Sequence, residues 1–271
     1  GSVYSCADIA AARGDAANAR AMVNGVVDGC TNASFYGGKM AKDIFGGGFG
    51  DVSEVNPAEI TSADISGNTY VYFKQGQLEF EEYWDPVTGT FKNQTSAGDA
   101  RNTESDICHN LYGGGNVACV VKGNTHVHME GAPSAPPSFA LADYYTECIA
   151  NVAKPHFSSF GGGFGKYAEV RGDAHSDINL KYGTGMHSII GGGMNGPVDG
   201  YTKVHVGSDP SLNIHHVYGG GYYAPCASTK LDITRGTILE NVFGGAVMGD
   251  INAAGAATDI ATQVMIGLKA D

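Results

Sequence analysis

Charge is scarce in this 271-residue chain, where only 16% of residues are Asp, Glu, Lys or Arg. What charge there is leans acidic, with 28 acidic against 16 basic residues and a formal net charge of −12. That balance excludes the basic footprint that nucleic-acid phosphates require and the polybasic clusters drawn to anionic membranes. No apolar run approaches the ~20 residues of a membrane-spanning helix, so the expectation is a chain that does not span a membrane. Tryptophan occurs once, at Trp84. The six cysteines (Cys6, Cys30, Cys108, Cys119, Cys148 and Cys226) contain no Cys-x-x-Cys, which removes the common zinc motifs. No Gly-x-Ser-x-Gly elbow occurs, so nothing supports a nucleophilic serine.

Glycine, by contrast, is abundant, at 41 residues. Much of it falls in runs behind a bulky apolar residue: Phe45-Gly46-Gly47-Gly48, Tyr112-Gly113-Gly114-Gly115, Phe160-Gly161-Gly162-Gly163, Ile190-Gly191-Gly192-Gly193 and Tyr218-Gly219-Gly220-Gly221, with a shorter Phe243-Gly244-Gly245. After each run comes an alternating segment: Thr69–Phe73, Thr125–Met129, Ser176–Leu180, Thr202–Val206, Thr229–Ile233 and Thr262–Ile266. Two elements paired six times in one order identify a repeat architecture, which outranks any local signal.

Period-two alternation places one set of residues on each face of a strand. A lone strand of this kind cannot bury its apolar face, but six stacked ones can. Successive anchors are 67, 48, 30, 28 and 25 residues apart, counted from Phe45 through Tyr112, Phe160, Ile190 and Tyr218 to Phe243. The last three spacings suit one coil of short strands, and the first two suit the same coil with insertions. At about 4.8 Å per coil the body is roughly 30 Å long. The expected core columns are Thr69, Thr125, Ser176, Thr202, Thr229 and Thr262, with Val71, Val127, Ile178, Val204, Leu231 and Val264 beside them. Glycine runs are entropically expensive, so they must supply positive φ at corners or close backbone approach.

Gly67-Asn68-Thr69 and Gly123-Asn124-Thr125, with Gly200-Tyr201-Thr202 as a partial copy, complete the pattern. It resembles right-handed parallel β-helix domains, in particular the glycine-rich repeats of large surface proteins from gut Bacteroidetes and related anaerobes. The resemblance covers about residues 36 to 268. It implies an all-β, single-stranded right-handed parallel β-helix of about six coils, in a protein that is extracellular or on the cell surface. No secretory signal is visible, and Gly1-Ser2 reads as a cloning remnant.

Residues 1–35 read as an N-terminal cap segment, with a helix over 7–24, and residues 36–271 as the β-helix domain with insertions near 77–107 and 131–157. Cys6 and Cys30 flank the Ala-rich cap and are the candidate disulfide. Cys119 and Cys226 lie about three coils apart, roughly 14 Å, too far to bridge. The first insertion reads as a hairpin turning at Asp85 to Gly89.

Outward positions of the strands form two columns: Tyr70, His126, Asp177, Lys203, Lys230, Gln263, and Tyr72, His128, Asn179, His205, Asp232, Met265. Inserted loops and this face are the places for ligand contact, with Trp84, Tyr83, Tyr72, His128, Tyr144 and Tyr145 as the binding residues. The function expected is adhesion or recognition of a glycan, or of another host or bacterial surface ligand, without catalysis, metal or cofactor. The alternative is a polysaccharide lyase or glycosidase acting through Lys203, Lys230, Asp232 and His205, since a lyase needs a base and a cation beside its carboxylate. The repeated Asp clusters of calcium-dependent lyases are missing, and the five arginines are scattered.

Overall fold

A computed structural model of the chain describes residues 3–4, 27–40, 43–53, 56, 58–78, 82–85, 90–93, 110–132, 158–183, 185–252 and 261–267. Among these residues there is no helix, and the fold is all-β. The helix expected over 7–24 lies outside the described residues.

Two seven-stranded parallel sheets make up most of the structure. The threonine sheet orders Thr31–Phe35, Thr69–Phe73, Thr125–Gly131, Ala174–Tyr182, Val198–Gly207, Cys226–Arg235 and Thr262–Ile266. The glycine-run sheet orders Val3–Tyr4, Ile44–Phe45, Leu111–Tyr112, Ser159–Phe160, Met186–Ile190, Asn213–Tyr218 and Thr237–Phe243. In both sheets spatial order is chain order, and the chain alternates between them. Each glycine-run strand and the threonine strand after it therefore form one tier. A third line of single parallel bridges joins Val27, Ile65, Val121, Val170, Val198, Cys226 and Ile251 in that order. Seven tiers result, one more than the six expected: Thr31–Phe35 pairs with Thr69–Phe73, although it falls within the stretch read as a cap.

The Gly-Asn-Thr triplet has a physical reason at each position. Asn68 Oδ1 accepts the Asn124 N–H (2.8 Å), Asn124 Oδ1 accepts the Asp173 N–H (2.9 Å), and Asp173 Oδ1 accepts the Tyr201 N–H (3.0 Å). This side-chain ladder fills backbone donors at a corner where the sheet has none to offer. The preceding glycine makes room for it, because a Cβ on Gly123 or Gly172 would overlap the amide oxygen of the tier below. The threonine hydroxyl then crosses to the next tier. Thr31, Thr69, Thr125, Thr202 and Thr229 donate to the carbonyls of Gly46, Gly113, Gly161, Gly219 and Gly244, at 2.5–2.7 Å.

One tier breaks the pattern. Register pairs Thr125 with Ala174 and Val127 with Ser176, so Ala174, not Ser176, occupies the threonine column. Ser176 sits instead among the valines, and Ile178 follows Met129. The expected core columns are corrected here by two residues. Ala174 is fully buried and lacks the hydroxyl that its neighbours send upward. Ala174→Thr should therefore raise stability by about 1 kcal/mol, the net worth of one added hydrogen bond. A urea midpoint equal to or below the parent's would show that the site has no room for it.

Between the two sheets lies the main core, including Val71, Val127, Val204 and Leu231 against Ile44, Leu111, Ile189 and Val217. A smaller cluster follows the bridge line through Ile65, Val121, Val170, Val198 and Cys226. The aromatic before each glycine run packs separately: Phe45, Tyr112 and Phe160 stack at 4.8 and 4.7 Å between centroids. The last tier is different, since Leu239, Phe243, Val264 and Ile266 are exposed.

Glycines of the runs do not sit at positive φ. Among the described residues the glycines that do are Gly29, Gly38, Gly183, Gly185, Gly236 and Gly267, all outside the runs. Close approach alone accounts for the runs: a Cβ on Gly46, Gly113, Gly161, Gly191 or Gly219 would overlap the carbonyl oxygen of the equivalent glycine one tier on.

In the first insertion, Glu82–Asp85 and Thr90–Asn93 pair antiparallel with Asp85 opposite Thr90. From residue 133 the second insertion lies outside the described residues.

Candidate functional site

The solvent-facing side of the threonine sheet gathers most of the ring-bearing and titratable side chains that sequence reading singled out. Register sets its first column as Asn32, Tyr70, His126, His175, Lys203, Lys230 and Gln263. The second runs Ser34, Tyr72, His128, Asp177, His205, Asp232 and Met265. Strand alternation keeps these residues outward while their neighbours fill the core. The two-residue correction matters most here. It moves Asp177 out of the first column and into the second, between two histidines, and brings His175 into the first.

Rings stack along both columns. Tyr70 and His126 lie parallel at 4.7 Å, Tyr72 and His128 at 5.3 Å, and His126 meets His175 at 4.9 Å. Tyr36 tilts against Tyr72 at 5.4 Å. Further on, Asp177 receives both flanking imidazoles: His128 Nδ1 at 3.0 Å on Oδ2 and His205 Nδ1 at 2.8 Å on Oδ1. The Asn179 amide also donates to Oδ1, at 2.7 Å. An acceptor-only carboxylate held by three donors cannot swing freely, and both rings are fixed edge-on to it.

Electrostatics follow from that packing. Burial pushes the Asp177 carboxyl up, but the hydrogen bonds and charge of His205 and His128 outweigh it, and the net shift is down. Burial, with repulsion from His175, lowers His126. His175 is lowered by burial, with Lys203 adding to the shift and Asp173 opposing it. Near neutral pH the His126 and His175 rings are therefore uncharged, while Asp177 is ionised.

Three shallow concavities lie in file along the face. The first, about 360 Å³, is lined by Tyr36, Tyr70, Tyr72, His126 and His128 among others. The second, also about 360 Å³, is lined by His126, His175, Asp177, Lys203, His205 and Asp232 with Ser176. The third, about 380 Å³, is lined by Tyr201, Lys203, Lys230, Gln263, Ser228 and Thr229. Shared residues join each to the next, so they form one groove running across the strands.

Tyr72 and His128 thus share the first concavity, Lys203, His205 and Asp232 the second, and Lys230 the third. Tyr83 and Trp84 lie on a strand of the antiparallel pair, opposite Lys92 and Phe91, and Tyr144 and Tyr145 fall outside the described residues. Cys30 is an exposed free thiol, and its candidate partner Cys6 lies outside the described residues. Cys119 and Cys226 are buried, and Cys119 Sγ accepts the Gly48 N–H at 3.2 Å. Sequence reading missed His175 and misplaced Asp177. Gly172-Asp173 was the available signal, because it repeats Gly123-Asn124 and sets the register of the strand after it.

Among the described residues, no group of three His, Cys, Asp or Glu side chains is arranged to hold a metal ion. No helix among them is long and apolar enough to cross a membrane. The chain matches no known family model, curated protein or solved structure.

Proposed function

We propose that this chain is a right-handed parallel β-helix whose threonine-sheet face binds an extended glycan, as a secreted or cell-surface recognition module without catalysis. Three things support the solenoid: spatial order equals chain order in both large sheets, the chain alternates between them, and a third bridge line advances in step. Right-handedness follows from the strong preference of parallel crossover connections for that hand. The extracellular setting rests on the resemblance of the repeats.

The observation behind glycan binding is the continuous groove with its stacked rings. Its long axis crosses the strands, so a linear polymer laid in it meets a new ring or polar side chain about every 4.8 Å. Tyr36, Tyr70, Tyr72 and His126, stacked against one another up the columns, offer a rail of ring edges to sugar C–H groups, while Asp232 and Lys203 offer hydrogen bonds to hydroxyls. The state of Asp177 argues against one catalytic role, that of a glycosidase's general acid. A glycosidase acid must stay protonated, whereas Asp177 is held ionised between imidazoles.

A glycan array followed by titration of its hits tests this reading. Tyr72→Ala and His126→Ala should each weaken binding about tenfold or more, roughly 1.4 kcal/mol. Both side chains point outward, so melting should stay within a few degrees of the parent. Unchanged affinity in both variants, or an array with no hits, would end the proposal.

A further inference from the structure

We propose that the third concavity is an anion subsite, in which Lys203 and Lys230 together take the carboxylate or sulfate of an acidic sugar. The proposal rests on the glycan reading above and narrows it to acidic glycans. Lys203 and Lys230 are direct partners in the parallel ladder, on the same face of strands about 4.8 Å apart. Like charges placed opposite each other destabilise a sheet. In a chain with 28 acidic residues, a neutralising partner would be easy to supply, and Arg171 and Lys181 each have one. Arg171 reaches Glu169 and Asp199, and Lys181 approaches Glu130.

Among the described residues neither Lys203 nor Lys230 makes an ion pair. No carboxylate lines their concavity; the other lining groups are Tyr201, Ser228, Thr229 and Gln263. The nearest acids are engaged elsewhere or lie to one side. Asp173 accepts the Tyr201 N–H, and Asp232 sits in the second column opposite His205. Two ammonium groups with hydroxyl and amide donors beside them match an oxyanion, and charge-assisted hydrogen bonds to it are the strong kind. The neighbouring imidazole stack of His126 and His175 then seats the ring that bears the anion. Here an acidic polymer meets two neighbouring positive charges on a chain whose formal net charge is −12.

Titrations of the whole chain against dextran, dextran sulfate and polygalacturonate at physiological ionic strength test the subsite. At least one acidic polymer should bind about tenfold or more tightly than neutral dextran. Dextran sulfate against polygalacturonate separates sulfate from carboxylate. The double variant Lys203→Gln, Lys230→Gln should abolish the preference, while Lys122→Gln, an exposed lysine away from this face, should leave it intact. Equal affinity for neutral and acidic polymers, or a double variant with undiminished preference, overturns the anion subsite. If the acidic preference is absent while neutral dextran binds and Tyr72→Ala removes that binding, the groove survives and only this inference falls. If no polymer binds, both fall.

Discussion

Replacing Gly191 with valine should destabilise the protein by at least about 3 kcal/mol, the upper range for forcing extra atoms into packed structure. A Cβ at this position would overlap the carbonyl oxygen of Gly219 and lie 2.9 Å from Val204 Cγ2. The first clash is with backbone that is itself held in the ladder, and the second is with a buried core residue. Neither can move without shifting a whole tier. A melting temperature lower by about 6–12 °C would match that magnitude for a domain of this size. Gly245 provides the contrast. It also belongs to a run, but a Cβ there meets nothing within 4 Å, so Gly245→Ala should leave the melting point nearly unchanged. Equal tolerance at both positions would show that the runs are loops rather than close-packed backbone.

Acid should remove about 2–3 kcal/mol through a single buried histidine, His187. Its strand, Met186–Ile190, is buried along its whole length, and the ring lies 6.1 Å from that of His215 and 5.4 Å from that of His216. Burial, followed by the repulsion of His216 and His215, brings its pKa down to about 4, with Glu240 opposing the shift. Glu240 itself is lowered, chiefly by its hydrogen bond from His215. An unfolded chain takes up the proton near the ordinary histidine value of about 6.5, whereas the folded chain resists until about 4. Protons therefore favour unfolding, and the stability present above about 6.5 is lost as pH falls through that window, at about 1.4 kcal/mol per unit. Urea midpoints at about pH 7 and about pH 4.5 should separate clearly in the parent and much less in His187→Asn. The same pH slope in both proteins would place the acid sensitivity elsewhere.

The parallel stacking was legible because it is written twice in most tiers. Glycine runs mark one sheet, and Thr-x-Val alternation marks the other. Five of the six expected threonine-column positions hold by register, and four of them share one recurring hydroxyl bond. Thr262 is exposed rather than in the core. The fourth tier was misread for a definite reason. A slip of two residues keeps every side chain on its proper face, so Ser176-Asp177-Ile178 satisfies hydrophobic alternation as well as Ala174-His175-Ser176 does. Only the corner amide ladder through Asp173 distinguishes the two, and Ala174 hides the clue by dropping the hydroxyl. The first tier was missed because Thr31-Asn32-Ala33-Ser34-Phe35 follows no glycine run and carries only small apolar weight. The reason for the runs was also half wrong. A glycine that turns a corner and a glycine that lets two backbones touch look alike in sequence. The groove was legible as two columns of outward residues. Its centre at Asp177 was not, because the pairing with His128 and His205 depends on register alone.

The uncovered apolar side chains of the last tier give the stack a thermodynamic direction. Interior tiers are held from both sides, each but the Ala174 tier sending a threonine hydroxyl onward and most receiving one from behind. Among the described residues Thr262–Ile266 is laddered to Cys226–Arg235 alone, and Val264 and Ile266 are exposed. In a nearest-neighbour system of this kind, local opening of this strand costs less than opening of the tiers around Ala174–Tyr182, which are laddered on both sides. Such opening reaches the Gln263 edge of the proposed anion subsite and leaves the ring stack around Tyr70 and Tyr72 in place.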